Sequence, residues 1–202
     1  MNYAETMTYW YLRLNGFFPL TRFVLHDYRE DRRFSADCDL LGIRPPYVHE
    51  DIGGQTDDWD RALFQVVGLE EADTAAVIVE AKGGRDVGDA AAAFTAERLK
   101  YAVKRIGLFP PVRVDEIVKR LLGDASYRSD KILIVKVLAA HALDGNPILA
   151  NGRCEVPLSH IDKFIRGRLR AYRDRKIASR VFFPSDLLQY LIWREEVDSP
   201  EG

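Results

Sequence analysis

The most strongly patterned stretch of the chain is Ala75-Ala76-Val77-Ile78-Val79, five apolar residues in a row that run into Glu80-Ala81-Lys82 and then Gly83-Gly84. Unbroken apolar runs of this kind suit a strand covered on both faces, and residues 74–82 are predicted to be one. Residues 131–139 (KILIVKVLA) have the same character. Residues 21–28 and 35–43 read as two more strands; the charged stretch Arg29 to Arg33 joins them, so they are expected to pair as a hairpin, and Pro45-Pro46 stops the second. Helical periodicity appears elsewhere. Tyr3, Met7, Trp10, Tyr11 and Leu14 recur at three- and four-residue steps and predict a helix over 3–15 that Asn15-Gly16 ends. Ala91, Phe94, Leu99, Ala102, Val103 and Ile106 predict a long helix over 88–106, closed by Gly107 and Pro110-Pro111. Shorter helices are expected at 113–122, 159–175 and 185–194, the last opening at Ser185, and near 59–67 inside an irregular insertion spanning 45–73.

This order predicts an α/β (α+β) fold, a mixed sheet core flanked by helices. The expected organisation is one domain over 1–202, with a core at 3–106 and a strand plus helical elaboration at 107–202. The 47% apolar content is enough for a real core, and a formal charge of -2 gives the whole chain no bias towards a charged partner. Cys38 and Cys154 stand alone, outside any zinc-ligand spacing, and two lone thiols fit a reducing, cytoplasmic setting. The opening MNYAETMTYWYLRL lacks the basic and apolar regions of a secretory leader, and no run reaches the roughly 18 apolar residues that would span a membrane, so no membrane partner is expected.

The candidate chemistry sits at strand ends. Residues two apart on a strand share a face, so Glu80 and Lys82 project together from the end of the apolar run. A carboxylate and an ammonium there are costly to bury unless paired or ligated. Asp37 and Asp39 likewise share a face of the 35–43 strand. A carboxylate from each of two neighbouring strands suits magnesium, which takes oxygen ligands and usually one or two carboxylates. The ammonium can stabilise negative charge building on phosphorus.

A helix carrying Glu5, a hairpin, an acidic strand residue and a later apolar strand ending in Glu80-Ala81-Lys82 resemble, over roughly residues 3–106, the PD-(D/E)xK nuclease superfamily, which includes restriction endonucleases and Holliday-junction resolvases. The resemblance implies a restriction-endonuclease-like fold with an extra helical C-terminal part and a metal-dependent nuclease that hydrolyses DNA phosphodiester bonds. It implies Asp39, Glu80 and Lys82 as catalytic residues, with Asp39, Glu80 and Glu5 as ligands to Mg or Mn. A catalytically inactive module of this fold, binding nucleic acid or a partner protein, is the alternative. The chain departs from the pattern in Cys38, which stands before Asp39 where the motif name has proline, and in the long gap between the motif strands. Asp37 is a rival for the motif aspartate; Asp39 is preferred because the apolar run follows it directly. A homodimer is compatible with double-strand cutting.

Each of these residues also has a plain reading. Glu80 and Lys82 can be a local ion pair at a solvated strand end, and Glu5 an ordinary first-turn acid favoured by the helix dipole. His26 and His49 read as structural histidines, and Asp57, Asp58 and Asp60 as a solvated acidic loop. Residues 160–180 carry eight basic side chains against two acidic ones. Arg166, Arg170 and Arg173 there, with Lys100 and Lys104 on the helix after the ExK strand, are the candidate contacts to a DNA backbone. The alternative for 160–180 is an amphipathic helix with solvated arginines, built on Ile161, Phe164, Ile165, Leu169 and Tyr172.

Overall fold

The computed structural model describes residues 1–25, 36–51, 53–85, 87, 93–172, 186–187, 190–191 and 194. Its frame is one mixed sheet built from β1 (Phe18–Leu25), β2 (Ala36–Arg44), β3 (Thr74–Lys82), β4 (Ser126–Ser129), β5 (Ile132–Ala140), β6 (Ile148–Ala150) and β7 (Arg153–Pro157). The spatial order is β1-β2-β3-β5-β7-β6, with β4 also paired to β5. β3 and β5 run parallel along their whole lengths, from Thr74 beside Ile132 to Lys82 beside Ala140. The other long edge of β5 is shared: β4 pairs antiparallel with Ile132 to Val135, and β7 pairs parallel with Val137 to Ala140. Between them the Lys136 N–H donates to the Ala125 carbonyl at 2.9 Å.

Alternation along the strands separates two cores. Ala75, Val77, Val79 and Ala81 of β3 face α1 (Tyr3–Leu14) and α5 (Leu158–Ala171), packing with Met7, Tyr11, Ile161 and Ile165. Ala76 and Ile78 face α3 (Ala96–Ile106) and α4 (Val114–Gly123), packing with Leu99, Val103, Ile117 and Leu121. A strand buried on both sides has no polar face to show, which is why β3 and β5 read as unbroken apolar runs. α2 (Arg61–Val67) is a short helix in the insertion; it is N-capped by Asp60 and ends on Gly68, whose φ of 67° is a left-handed conformation glycine adopts at little cost.

α1 starts with a reciprocal cap. The Asn2 side chain accepts the Glu5 N–H at 3.0 Å, and the Glu5 carboxylate accepts from the Asn2 amide side chain at 2.6 Å and from its N–H at 3.3 Å. Asn2→Ala removes that cap and is expected to cost about 1 kcal/mol, read as a lower urea midpoint at constant m-value.

The predicted strands and helices are present with shifted ends. The first strand lies at Phe18–Leu25, earlier than expected, and residues 26–35, with His26 and the charged connection, fall outside the described residues. The helix expected over 88–106 starts only at Ala96, where Thr95 caps it; Ala93 and Phe94 form a 3-10 turn packed in the α3/α4 core, and 88–92 fall outside the described residues. The stretch after residue 106 is not one strand plus helices: it supplies four of the seven strands. β4 and β6 have four and three residues, too few to display a period. β7 (RCEVP) looks too charged for a buried strand, yet Arg153 and Glu155 satisfy each other at 2.9 Å. The described residues of the 185–194 prediction are helical.

Candidate functional site

The β2–β3 ladder sets Leu40 against Val79 and continues to Arg44 against Ala75. One step beyond Leu40 and Val79, towards the C-terminal end of β3, the same register brings Asp39 opposite Glu80. There the main chains part, and the Asp39 side chain takes over a ladder bond: its Oδ2 accepts the Ala81 N–H at 2.8 Å. Glu80 and Lys82 continue the alternation of Ile78 on the α3 side of the sheet; Cys38 and Leu41 both pack in that core, so the alternation of β2 breaks beside Asp39, whose side chain is fixed by its bond from Ala81 at the sheet end. The Lys82 ammonium lies 2.5 Å from Glu80 Oε1. The first turn of α1 abuts the strand end, since a Cβ on Gly83 would lie 3.7 Å from that of Ala4.

The electrostatics follow from this crowding. Burial pushes the Asp39 pKa up, the bond from Ala81 opposes that, and the charges of Glu80 and Glu5 add to the rise against Lys82; the outcome is about 6. Hydrogen bonding to Glu80 and the charges of Glu80 and Asp39 raise the Lys82 pKa, against burial and Arg98. Lys82 is therefore a held cation at neutral pH, not a base. Asp39, Glu80 and Lys82 are brought together at the end of β3; Glu5 contributes its charge while its carboxylate serves the helix cap. The Asp37 side chain lies outside the described residues. Cys38 and Cys154 are buried and pushed up to about 12, so both are neutral thiols.

A raised carboxyl pKa means that the folded state holds the proton more tightly than the unfolded state. The resulting stability is full below the unfolded value near 4 and is lost as pH rises through about 6. In the metal-free protein the Asp39 side-chain carbon is expected to titrate near pH 6 by NMR, and a divalent ion bound there lowers that midpoint by competing with the proton. A midpoint at the ordinary aspartate value would contradict the crowded geometry.

The predicted nucleic-acid residues divide between the two faces. Lys100 and Lys104 are on α3, on the side of the sheet where Ile78 packs, Lys100 paired with Asp115 at 2.7 Å and Lys104 exposed. Arg166 and Arg170 are on α5, across the sheet, and Arg173 lies outside the described residues. α5 is the amphipathic helix its spacing predicts, although Arg168 is not solvated: it is buried, donates to the carbonyls of Gly53 and Asp58, and lies by Trp59 and Phe164. His49 is exposed, 3.5 Å from Asp51.

The acidic loop is a correction. Asp57 is exposed beside Arg61, but Asp58 accepts from the Tyr172 hydroxyl at 2.8 Å and Asp60 is buried. Asp60 Oδ1 caps α2 by accepting the Ala62 N–H at 3.0 Å, while Oδ2 receives the Tyr11 hydroxyl at 2.5 Å and His160 Nε2 at 2.6 Å. A carboxylate acceptor makes Nε2 the protonated nitrogen of His160. Burial raises the Asp60 pKa, but the bonds from His160 and Tyr11 outweigh it and hold the carboxyl below the usual range. A cleft of about 470 Å³ opens beside Asp60, His160, Lys163 and Arg168. The only sequence sign of this cluster is an acidic N-cap before a short helix, and nothing along the chain pairs it with a histidine a hundred residues later.

No family model matches the chain, and no curated protein or solved structure shows significant similarity to it. Among the described residues no helix is long and apolar enough to cross a membrane.

Proposed function

We propose that the chain is a metal-dependent nuclease of the PD-(D/E)xK type that hydrolyses DNA phosphodiester bonds. The observation that carries this reading is the fork at the end of β2 and β3, where carboxylates from two adjacent strands meet and a lysine is held beside one of them. A bland strand end would be solvated, whereas Glu80 is buried and Asp39 is crowded enough to raise its pKa.

Mg or Mn fits this donor set as a two-carboxylate ion. Among the described residues no group of three His, Cys, Asp or Glu side chains is poised to hold a metal, and magnesium commonly uses one or two protein carboxylates with water and phosphate completing its shell. Asp39 and Glu80 would hold the ion, with Glu5 adding charge from the helix end. When bound, it would polarise the phosphoryl oxygen and lower the pKa of water. In the reaction a water oxygen bonds to phosphorus, the bond from phosphorus to the leaving sugar oxygen breaks, the water proton passes to solvent or a phosphate oxygen, and the leaving oxygen takes a proton from solvent to become the sugar hydroxyl. Lys82 remains protonated and stabilises the charge that accumulates on phosphorus. Lys104, exposed on α3, and Lys100 are on the face where a backbone phosphate would approach.

The second reading is a nuclease-fold module that binds without cutting, in which the Lys82–Glu80 contact at 2.5 Å is a structural ion pair. Labelled single- and double-stranded DNA, incubated with Mg, Mn or chelator, separates the two. Cleavage that requires the metal supports the nuclease. Salt-dependent binding without cleavage supports the module, and neither binding nor cleavage removes both.

A further inference from the structure

The other end of β2 carries a feature that the nuclease reading does not use. Arg44 lies opposite Ala75, five residues along the strand from Asp39, roughly 16 Å away at strand rise. It is fully buried, and three parts of its guanidinium are accounted for. Nε donates to the Asn15 carbonyl at 3.1 Å, and the rings of Trp59 and Phe64 lie 5.2 and 5.1 Å from its central carbon. The terminal nitrogens Nη1 and Nη2 are buried and have no hydrogen-bond partner among the described residues. A pocket of about 360 Å³ borders this buried residue, lined also by Trp59, Arg61, Phe64, Leu69, Glu70 and Glu71.

We propose that this pocket binds a small organic carboxylate on an apolar, flat body, with Arg44 as its anchor. With Nε and the ring faces taken, the donors that remain lie along the Nη edge. That edge matches the two oxygens of one planar carboxylate in a parallel pair of bonds. Trp59, Phe64 and Leu69 supply an apolar wall for the body of such a ligand. The rim carries both signs: Glu70 pairs with Lys131 at 3.1 Å and Arg61 with Asp57, and the exposed Glu71, outside those two ion pairs, is the charge that disfavours a dianionic phosphate against a monoanion. A buried arginine with donors unspent is costly to keep, and a leucine or methionine would fill the same space without that cost. The site is separate from the Asp39–Glu80 fork and does not depend on the nuclease reading.

Protein labelled with 15N-arginine, titrated with sodium benzoate, sodium phosphate or sodium chloride at equal ionic strength, tests this by NMR. The Arg44 Nε–H signal, assigned by its nuclear Overhauser contacts to the Trp59 ring, is expected to shift saturably with benzoate and to move with phosphate only as it does with chloride. Followed by the Trp59 indole N–H in uniformly 15N-labelled protein, Glu71→Gln is expected to tighten benzoate binding several-fold, and Arg44→Lys, where it folds, to abolish it. A benzoate response no larger than that to chloride overturns the site. Tighter binding of phosphate than of benzoate overturns the carboxylate assignment, and unchanged affinity in a folded Arg44→Lys variant overturns the anchor.

Discussion

Under the proposed nuclease mechanism, Lys82→Ala is expected to lower single-turnover, metal-dependent DNA cleavage by about 10²–10³-fold, the usual consequence of removing one pre-placed donor from a developing charge. The ammonium is already in position before substrate arrives, 2.5 Å from Glu80 and raised in pKa by that bond and the neighbouring carboxylates, so it brings a fixed positive charge to the fork. The variant should retain metal binding, because Asp39 and Glu80 remain. Lys82→Arg keeps the charge on a larger, planar head and should recover part of the rate. Asp39→Asn should abolish both cleavage and metal binding, since it removes one of two carboxylate charges while its amide oxygen can still accept the Ala81 N–H. Cleavage that survives Lys82→Ala and Asp39→Asn would assign the activity to another site and sink the proposed mechanism, while a folded wild type that binds DNA but cuts nothing would favour the binding module.

The largest stability effect is expected at Asp60. Asp60→Ala should cost about 3–5 kcal/mol, the scale for removing one member of a buried, charge-assisted network and leaving its partners unpaired. One carboxylate ties three helices: it caps α2, holds the Tyr11 hydroxyl of α1 and orients His160 of α5. The Asp60 N–H in turn donates to the Asn15 side chain at 2.7 Å, which locks the loop to the end of α1. Because the folded pKa is depressed, this stability is present above the unfolded aspartate value near 4 and is lost as pH falls through the lower folded value. Asp60→Asn should therefore show a smaller loss at neutral pH than Asp60→Ala and a weaker dependence of stability on pH in the acid range. Urea unfolding across pH 3–7 measures both. A loss below about 1 kcal/mol for Asp60→Ala, no more than an ordinary helix cap, would mean that the cluster holds little of the fold together.

The long elements were legible because each is dominated by one period. β3 and β5 announce themselves as buried strands, and the apolar stripe of α3 and the three- and four-residue spacing of α1 are equally plain. The pair Asp39 and Glu80 was legible for a related reason: polar residues that interrupt an apolar strand must have a use or a partner, and the two fall at the adjoining ends of neighbouring strands. What the sequence could not display is anything set by distant partners. β7 hides behind Arg153 and Glu155, whose charges cancel only when folded. Arg168 reads as one more surface arginine until Gly53 and Asp58 are found beneath it. Asp60 reads as loop acid because Tyr11 and His160 lie 49 and 100 residues away along the chain.

The shared edge of β5 bears on the order in which the chain can assemble. β1 with β2, β4 with β5, and β6 with β7 are each close neighbours in sequence and antiparallel, so their pairing needs only modest loop closure. The parallel joint between β3 and β5 must instead draw together the two ends of residues 83–131, and the joint between β5 and β7 those of 141–152. Non-local pairings of this kind are slow to nucleate. β5 is the one strand that takes part in both, and β4, seated on its first half, leaves Val137 to Ala140 open until the hairpin carrying β7 docks. The folding barrier then lies in bringing β3 and the β6–β7 hairpin onto β5, with β1 and β2 joining through β3, and mutations in β5 should tell on folding rate more heavily than equal-sized losses in β1 or β6.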